Sequence, residues 1–173
     1  MCYKFKNVGV SMPQYCINIK KTSEKLVRDY LLRNSDTVRF TKSPEGQLVG
    51  FFRYEKFADS PRFTETLKKL EKYFIKTMRN NERFNEIPQG KNDLYEHYFY
   101  RLEPGLKKLI NKETIFYYTI PPSSENFYAL EDPTYYKKGK MLGSVTGHEP
   151  CVFLYITEKE KRKLEKSGFI FYS

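Results

Sequence analysis

The chain has 173 residues, 31 Lys and Arg against 21 Asp and Glu, a formal net charge of +10, and 39% hydrophobic residues including 15 Tyr and 14 Phe. That length fits one compact domain over 1–173 with room for a hydrophobic core, and the aromatic content excludes a disordered chain. The positive balance attracts phosphates, acidic proteins or anionic headgroups without choosing among them.

The first β-like run is Gln14 to Lys20, followed by Thr22-Ser23, either of which suits a helix cap before Leu26, Val27, Tyr30 and Leu31. Thr37 to Thr41 and Gln47 to Tyr54 read as two strands of a hairpin joined by Ser43-Pro44-Glu45-Gly46. Asp59-Ser60-Pro61 then opens a long amphipathic helix over 61–80. Its apolar stripe is Phe63, Leu67, Leu70, Phe74 and Met78, and Lys68, Lys69, Lys72, Lys76 and Arg79 fall opposite.

Asn80 to Asn92 reads as a surface loop, and Asp93 to Leu102 as a helix with Leu94, Tyr98 and Leu102 inward. Thr114 to Ile120 has the β-branched and aromatic content of a strand. Beyond it Pro133, Gly139, Gly143 and Gly147 interrupt regular structure, with Met141 to Thr146 able to pair as a short strand. Cys151 to Ile156 is an apolar strand, Thr157 with Glu160 forms a capping box, and Ser167-Gly168 closes a short helix before a strand at Phe169 to Tyr172. The expected fold class is therefore α+β: a mixed or mostly antiparallel sheet with helices packed on it, including the long helix near 61–80.

Chemistry-bearing motifs are sparse. Cys2, Cys16 and Cys151 form no CxxC pair and support neither a disulfide framework nor a zinc site, so no metal and no cofactor is expected and the compartment reads as reducing. No segment has the length and apolarity of a signal peptide or a membrane span, which points to a soluble cytoplasmic protein. His97, with Asp93 four residues earlier, reads as a paired histidine on a helix. His148-Glu149-Pro150-Cys151 lacks the spacing of a zinc deaminase, and Cys151 opens an apolar strand that should bury its thiol. Gly143-Ser144-Val145-Thr146-Gly147 places Val where a nucleophile elbow needs Ser.

Three function classes remain. The first is a protein-interaction module, binding or inhibitory, whose partner is another protein; abundant Tyr suits contact surfaces. A second is a nucleic-acid-binding module. Lys69, Lys72, Lys76 and Arg79 would form a helical ridge along phosphates, with Tyr135, Tyr136, Lys137, Lys138 and Lys140 as a second contact that stacks on bases and neutralises charge. The third is an enzyme with a dispersed site in the 131–150 segment, for which His148, Glu149 and Glu131 are the candidates.

Overall fold

The computed structural model describes residues 12–42, 48–49, 52–53, 67–81, 95–112, 130–146 and 151–172. Its strands are β1 (Gln14–Ile17), β2 (Thr37–Lys42), β3 (Leu48–Val49), β4 (Phe52–Arg53), β5 (Phe74–Asn80), β6 (Tyr95–Arg101), β7 (Leu130–Lys137), β8 (Lys140–Thr146) and β9 (Cys151–Tyr155). The helices whose bounds are defined are α1 (Glu24–Asn34), α2 (Pro104–Lys112) and α3 (Glu158–Lys166), with a 3₁₀ turn at Glu71–Tyr73. Seven strands form one sheet in the order β1-β9-β8-β7-β2-β6-β5, and every pairing in it is antiparallel.

The sheet dominates, and this corrects the expected fold class. The long helix over 61–80 is absent: residues 67–70 are helical, Glu71–Tyr73 tightens to 3₁₀, and Phe74–Asn80 is strand β5. Positions 61–66 lie outside the described residues. Phe74, Ile75 and Thr77 are strand formers, and pairing with β6 gives their backbone a ladder that outweighs an amphipathic periodicity. The helix expected at Asp93 to Leu102 is likewise strand β6, where Tyr, Phe and His fit a pleated surface in the middle of a sheet. The proposed hairpin is also corrected. β2 lies between β6 and β7, whereas Leu48–Val49 pairs with Phe52–Arg53 in a separate ribbon. The expected strand at Thr114 to Ile120 lies outside the described residues.

Local signals in the last third have clear counterparts. Thr157 accepts from the Glu160 N–H at 3.2 Å while the Glu160 carboxylate accepts from the Thr157 N–H at 2.8 Å, closing both halves of the capping box. Gly168, at φ +95°, ends α3: its N–H donates to the Glu165 carbonyl, and the Phe169 N–H donates to that of Leu164. The following segment makes only a bridge, Phe171 to Ile17 on the outer side of β1, instead of the strand expected there. Thr22 does not cap α1; its hydroxyl exchanges hydrogen bonds with Ile170 and ties that segment down.

Register divides the sheet into two chemically different faces. One carries Ile17, Val38, Phe40, Tyr100, Tyr135, Val145, Val152 and Leu154, and it packs with Val27 and Leu31 of α1 and Leu106 and Ile110 of α2. Each such aliphatic side chain removed from water contributes about 1.5–3 kcal/mol before entropy is charged against it. The opposite face carries Arg39, Thr41, His97, Thr134, Ser144 and Thr146, and all of these are buried too.

Candidate functional site

The buried polar face is held together by its own side chains. The His97 ring is inaccessible to solvent, with Nδ1 3.1 Å from the Thr41 hydroxyl and Nε2 2.8 Å from Asn80 Oδ1. A neutral imidazole satisfies both contacts when Nε2–H donates to Asn80 and the Thr41 hydroxyl donates to Nδ1. Arg39, only 1% exposed, donates from Nη2 to the Thr134 hydroxyl at 3.1 Å. Beside them, Asp132 and Pro133 stand opposite Phe40 in a bulge of β7, with Asp132 at φ +46°. The bulge accommodates a proline that has no N–H to give the ladder. These residues bind four strands, β7, β2, β6 and β5, to one register, and His97 presents no accessible atom for chemistry.

The carboxyl-poor, cation-rich surface is elsewhere and does not form the expected ridge. Lys69 belongs to the helical stretch at 67–70 and Lys72 to the 3₁₀ turn, while Lys76 and Arg79 lie on opposite faces of β5, opposite Phe99 and Glu96. Lys76 Nζ sits 5.0 Å from the centre of the Phe99 ring, and Arg79 donates to the Glu96 carboxylate at 3.3 Å. Helical spacing of i, i+3, i+7 and i+10 has no meaning along a chain that changes from helix to strand.

The second basic segment is the tip of the β7–β8 hairpin. Lys138 at φ +52° and Gly139 at φ +75° form its two-residue turn, both in the left-handed region that a primed turn requires. Asp36 fixes it by accepting from the Lys138 N–H at 2.6 Å. Lys137, Lys138 and Lys140 are exposed, but Tyr135 is fully buried on the apolar face and Tyr136 is 8% exposed, so neither ring is open to a base. Lys138 follows β7 and Lys72 precedes β5 at the same end of the sheet, and those two strands are three spacings apart, roughly 14 Å. Arg79 is toward the opposite end. Of the enzyme candidates, Glu131 pairs through its backbone with Thr41 in β7, and His148 and Glu149 lie outside the described residues.

What sequence reading missed is the character of β5. It ends the sheet, with no strand on its outer side among the described residues, and Phe74, Ile75, Lys76 and Thr77 are exposed in succession. Phe74 and Ile75 are 40% and 42% exposed, whereas Tyr100, opposite Phe74, is buried. Next to them a groove of about 370 Å³ is lined by Leu67, Lys68, Glu71, Phe74, Thr77, Tyr98 and Tyr100. Its floor is aromatic: Phe74 meets Tyr100 edge to face at 6.0 Å. Burial, followed by the charge of the Glu96 carboxylate and a hydrogen bond to it, raises the Tyr98 phenol above its ordinary pKa.

The signal that points to this edge is the β-prone run Phe74-Ile75-Lys76-Thr77 itself, once it is weighed as a strand. Among the described residues no helix is long and apolar enough to cross a membrane, and no cluster of three His, Cys, Asp or Glu could hold a metal. No protein-family model, no curated protein and no solved structure matches the chain.

Proposed function

We propose that this protein is a binding module that takes up an extended, acidic segment of another protein along β5. The observation that carries the reading is an end strand with exposed Phe74 and Ile75 beside an aromatic groove. An end strand offers main-chain N–H and C=O groups to a further strand, and side-chain pockets beside it supply specificity. The acidic character follows from charge complementarity: Lys68 lines the groove, Lys72 precedes β5, Lys76 is exposed on the strand itself, and the chain as a whole carries +10.

Anisotropy titration with a labelled peptide alternating Glu and Val, another alternating Lys and Val, and an oligonucleotide of equal negative charge tests this directly. The acidic peptide should bind in preference to both, with protection of β5 amides from hydrogen exchange. Phe74→Ala should weaken it about tenfold or more, as loss of an aromatic anchor does. Equal affinity for the two peptides, or protection confined to another strand, would exclude strand addition at β5. Tighter binding of the oligonucleotide would reassign the cations to phosphate recognition.

A further inference from the structure

Cys16 on β1 and Cys151 on β9 are 135 positions apart in sequence, yet their sulfur atoms lie 2.8 Å from each other. Register accounts for the meeting. Cys16 is opposite Phe153, so Cys151 is its diagonal neighbour two residues along β9, and both side chains leave the same face of the sheet. Both cysteines are in the thiol form, and the separation is well inside the roughly 3.5–4.0 Å of a van der Waals contact between carbon atoms, which are smaller than sulfur. Forming a bond of about 2.05 Å needs the sulfurs to approach by less than 1 Å.

From this geometry we infer that Cys16 and Cys151 are a reversible disulfide site that clips β1 to β9. Cys151 is the entry point, because it is partly exposed while Cys16 is 9% exposed. The oxidant is a small-molecule disulfide such as oxidised glutathione. The Cys151 thiolate attacks one of its sulfurs, breaking the S–S bond and releasing one glutathione thiolate, which takes up the proton Cys151 lost. The Cys16 sulfur then attacks Cys151 in the mixed disulfide, releasing the second glutathione with the Cys16 proton. Two protein thiols and one glutathione disulfide become one protein disulfide and two glutathione thiols. The cross-link ties down the strand at one end of the sheet, together with the Phe171 bridge on its outer side.

The test uses the full chain carrying Cys2→Ser, so that only the pair remains, equilibrated with oxidised and reduced glutathione and then treated with iodoacetamide. Oxidation should give a monomer that has lost two hydrogens, takes up no carbamidomethyl group and regains two sites after reduction. Its thermal midpoint should exceed that of the reduced form. Adding Cys16→Ser should leave a glutathione adduct on Cys151 and abolish the shift in midpoint. Persistence of two alkylatable thiols, a stable adduct with both cysteines present, or disulfide-linked dimers would overturn the inference.

Discussion

At the scale of single residues, the unusual expenditure is on burying polarity. A threonine hydroxyl or an imidazole taken from water costs several kcal/mol unless it is hydrogen-bonded, and His97 is bonded on both ring nitrogens. That network also fixes register, since a slip of one residue would turn His97 onto the apolar face against Val38 and Phe40. Thr41→Val keeps the shape of the side chain and removes the hydroxyl that partners His97 Nδ1. The expected result is a loss of about 1–3 kcal/mol in urea denaturation at neutral pH. Thr37→Val, at the half-buried end of β2 on the same face, loses only a hydrogen bond to the exposed Asp36 and should cost less than Thr41→Val, about 0.5 kcal/mol.

At the scale of elements, the contrast between α3 and β5 shows what local sequence can decide. The end signals of α3 are stated in consecutive residues: Thr157 and Glu160 satisfy one another, and Gly168 supplies the left-handed turn, so its boundaries were legible. Phe74 and Met78 instead fit two periods at once. In β5 they are even positions of a strand, but a bulge at Ile75 puts them on opposite faces, opposite Tyr100 and His97. No local pattern announces that bulge, and the ladder that selects the strand comes from β6, many residues away. The Lys ridge was illegible for the same reason: helical spacing is a period that the backbone between Lys69 and Arg79 does not have. Gly139 was legible as a break in regular structure, while the burial of Tyr135 depended on its pairing opposite Val38.

The α3 cap also has a pH dependence with a definite sign. Hydrogen bonds from the Thr157 backbone and side chain, followed by the charges of Lys137 and Lys163, hold the Glu160 carboxyl below its ordinary pKa. The folded form therefore binds protons less readily than the unfolded chain. Its contribution is present at pH values above the ordinary carboxylate range and disappears as pH falls through the depressed folded value. Helical signal and hydrogen-exchange protection in α3 should fall on acidification through that window. Glu160→Gln should flatten this response while retaining an acceptor for the Thr157 N–H, and Thr157→Ala should cost about 1 kcal/mol at neutral pH.

At the scale of the whole molecule, the apolar layer is closed by α1 lying close against the sheet, and Gly143 of β8 makes that approach feasible. A Cβ at this position would stand 2.7 Å from Leu31 Cδ2, 2.9 Å from Leu154 Cδ2 and 2.9 Å from the Phe153 carbonyl oxygen. The two leucine methyls can yield, but the carbonyl belongs to the β8–β9 ladder and cannot move without disturbing it. The glycine that resembled part of a nucleophile elbow thus serves helix-to-sheet packing, and its neighbour Ser144 points into the buried polar face. Gly143→Ala should destabilise the protein by about 1–3 kcal/mol, the range expected when a core is overfilled. Adding Leu31→Ala relieves one of the two methyl contacts but leaves the carbonyl clash, so the double variant should show partial recovery relative to the sum of the single changes. Strict additivity in denaturant unfolding would mean that the ladder alone, and not the seating of α1, excludes a side chain at this position. Binding at β5 should survive Gly143→Ala wherever the fold does, because β8 and β5 are separated by β7, β2 and β6.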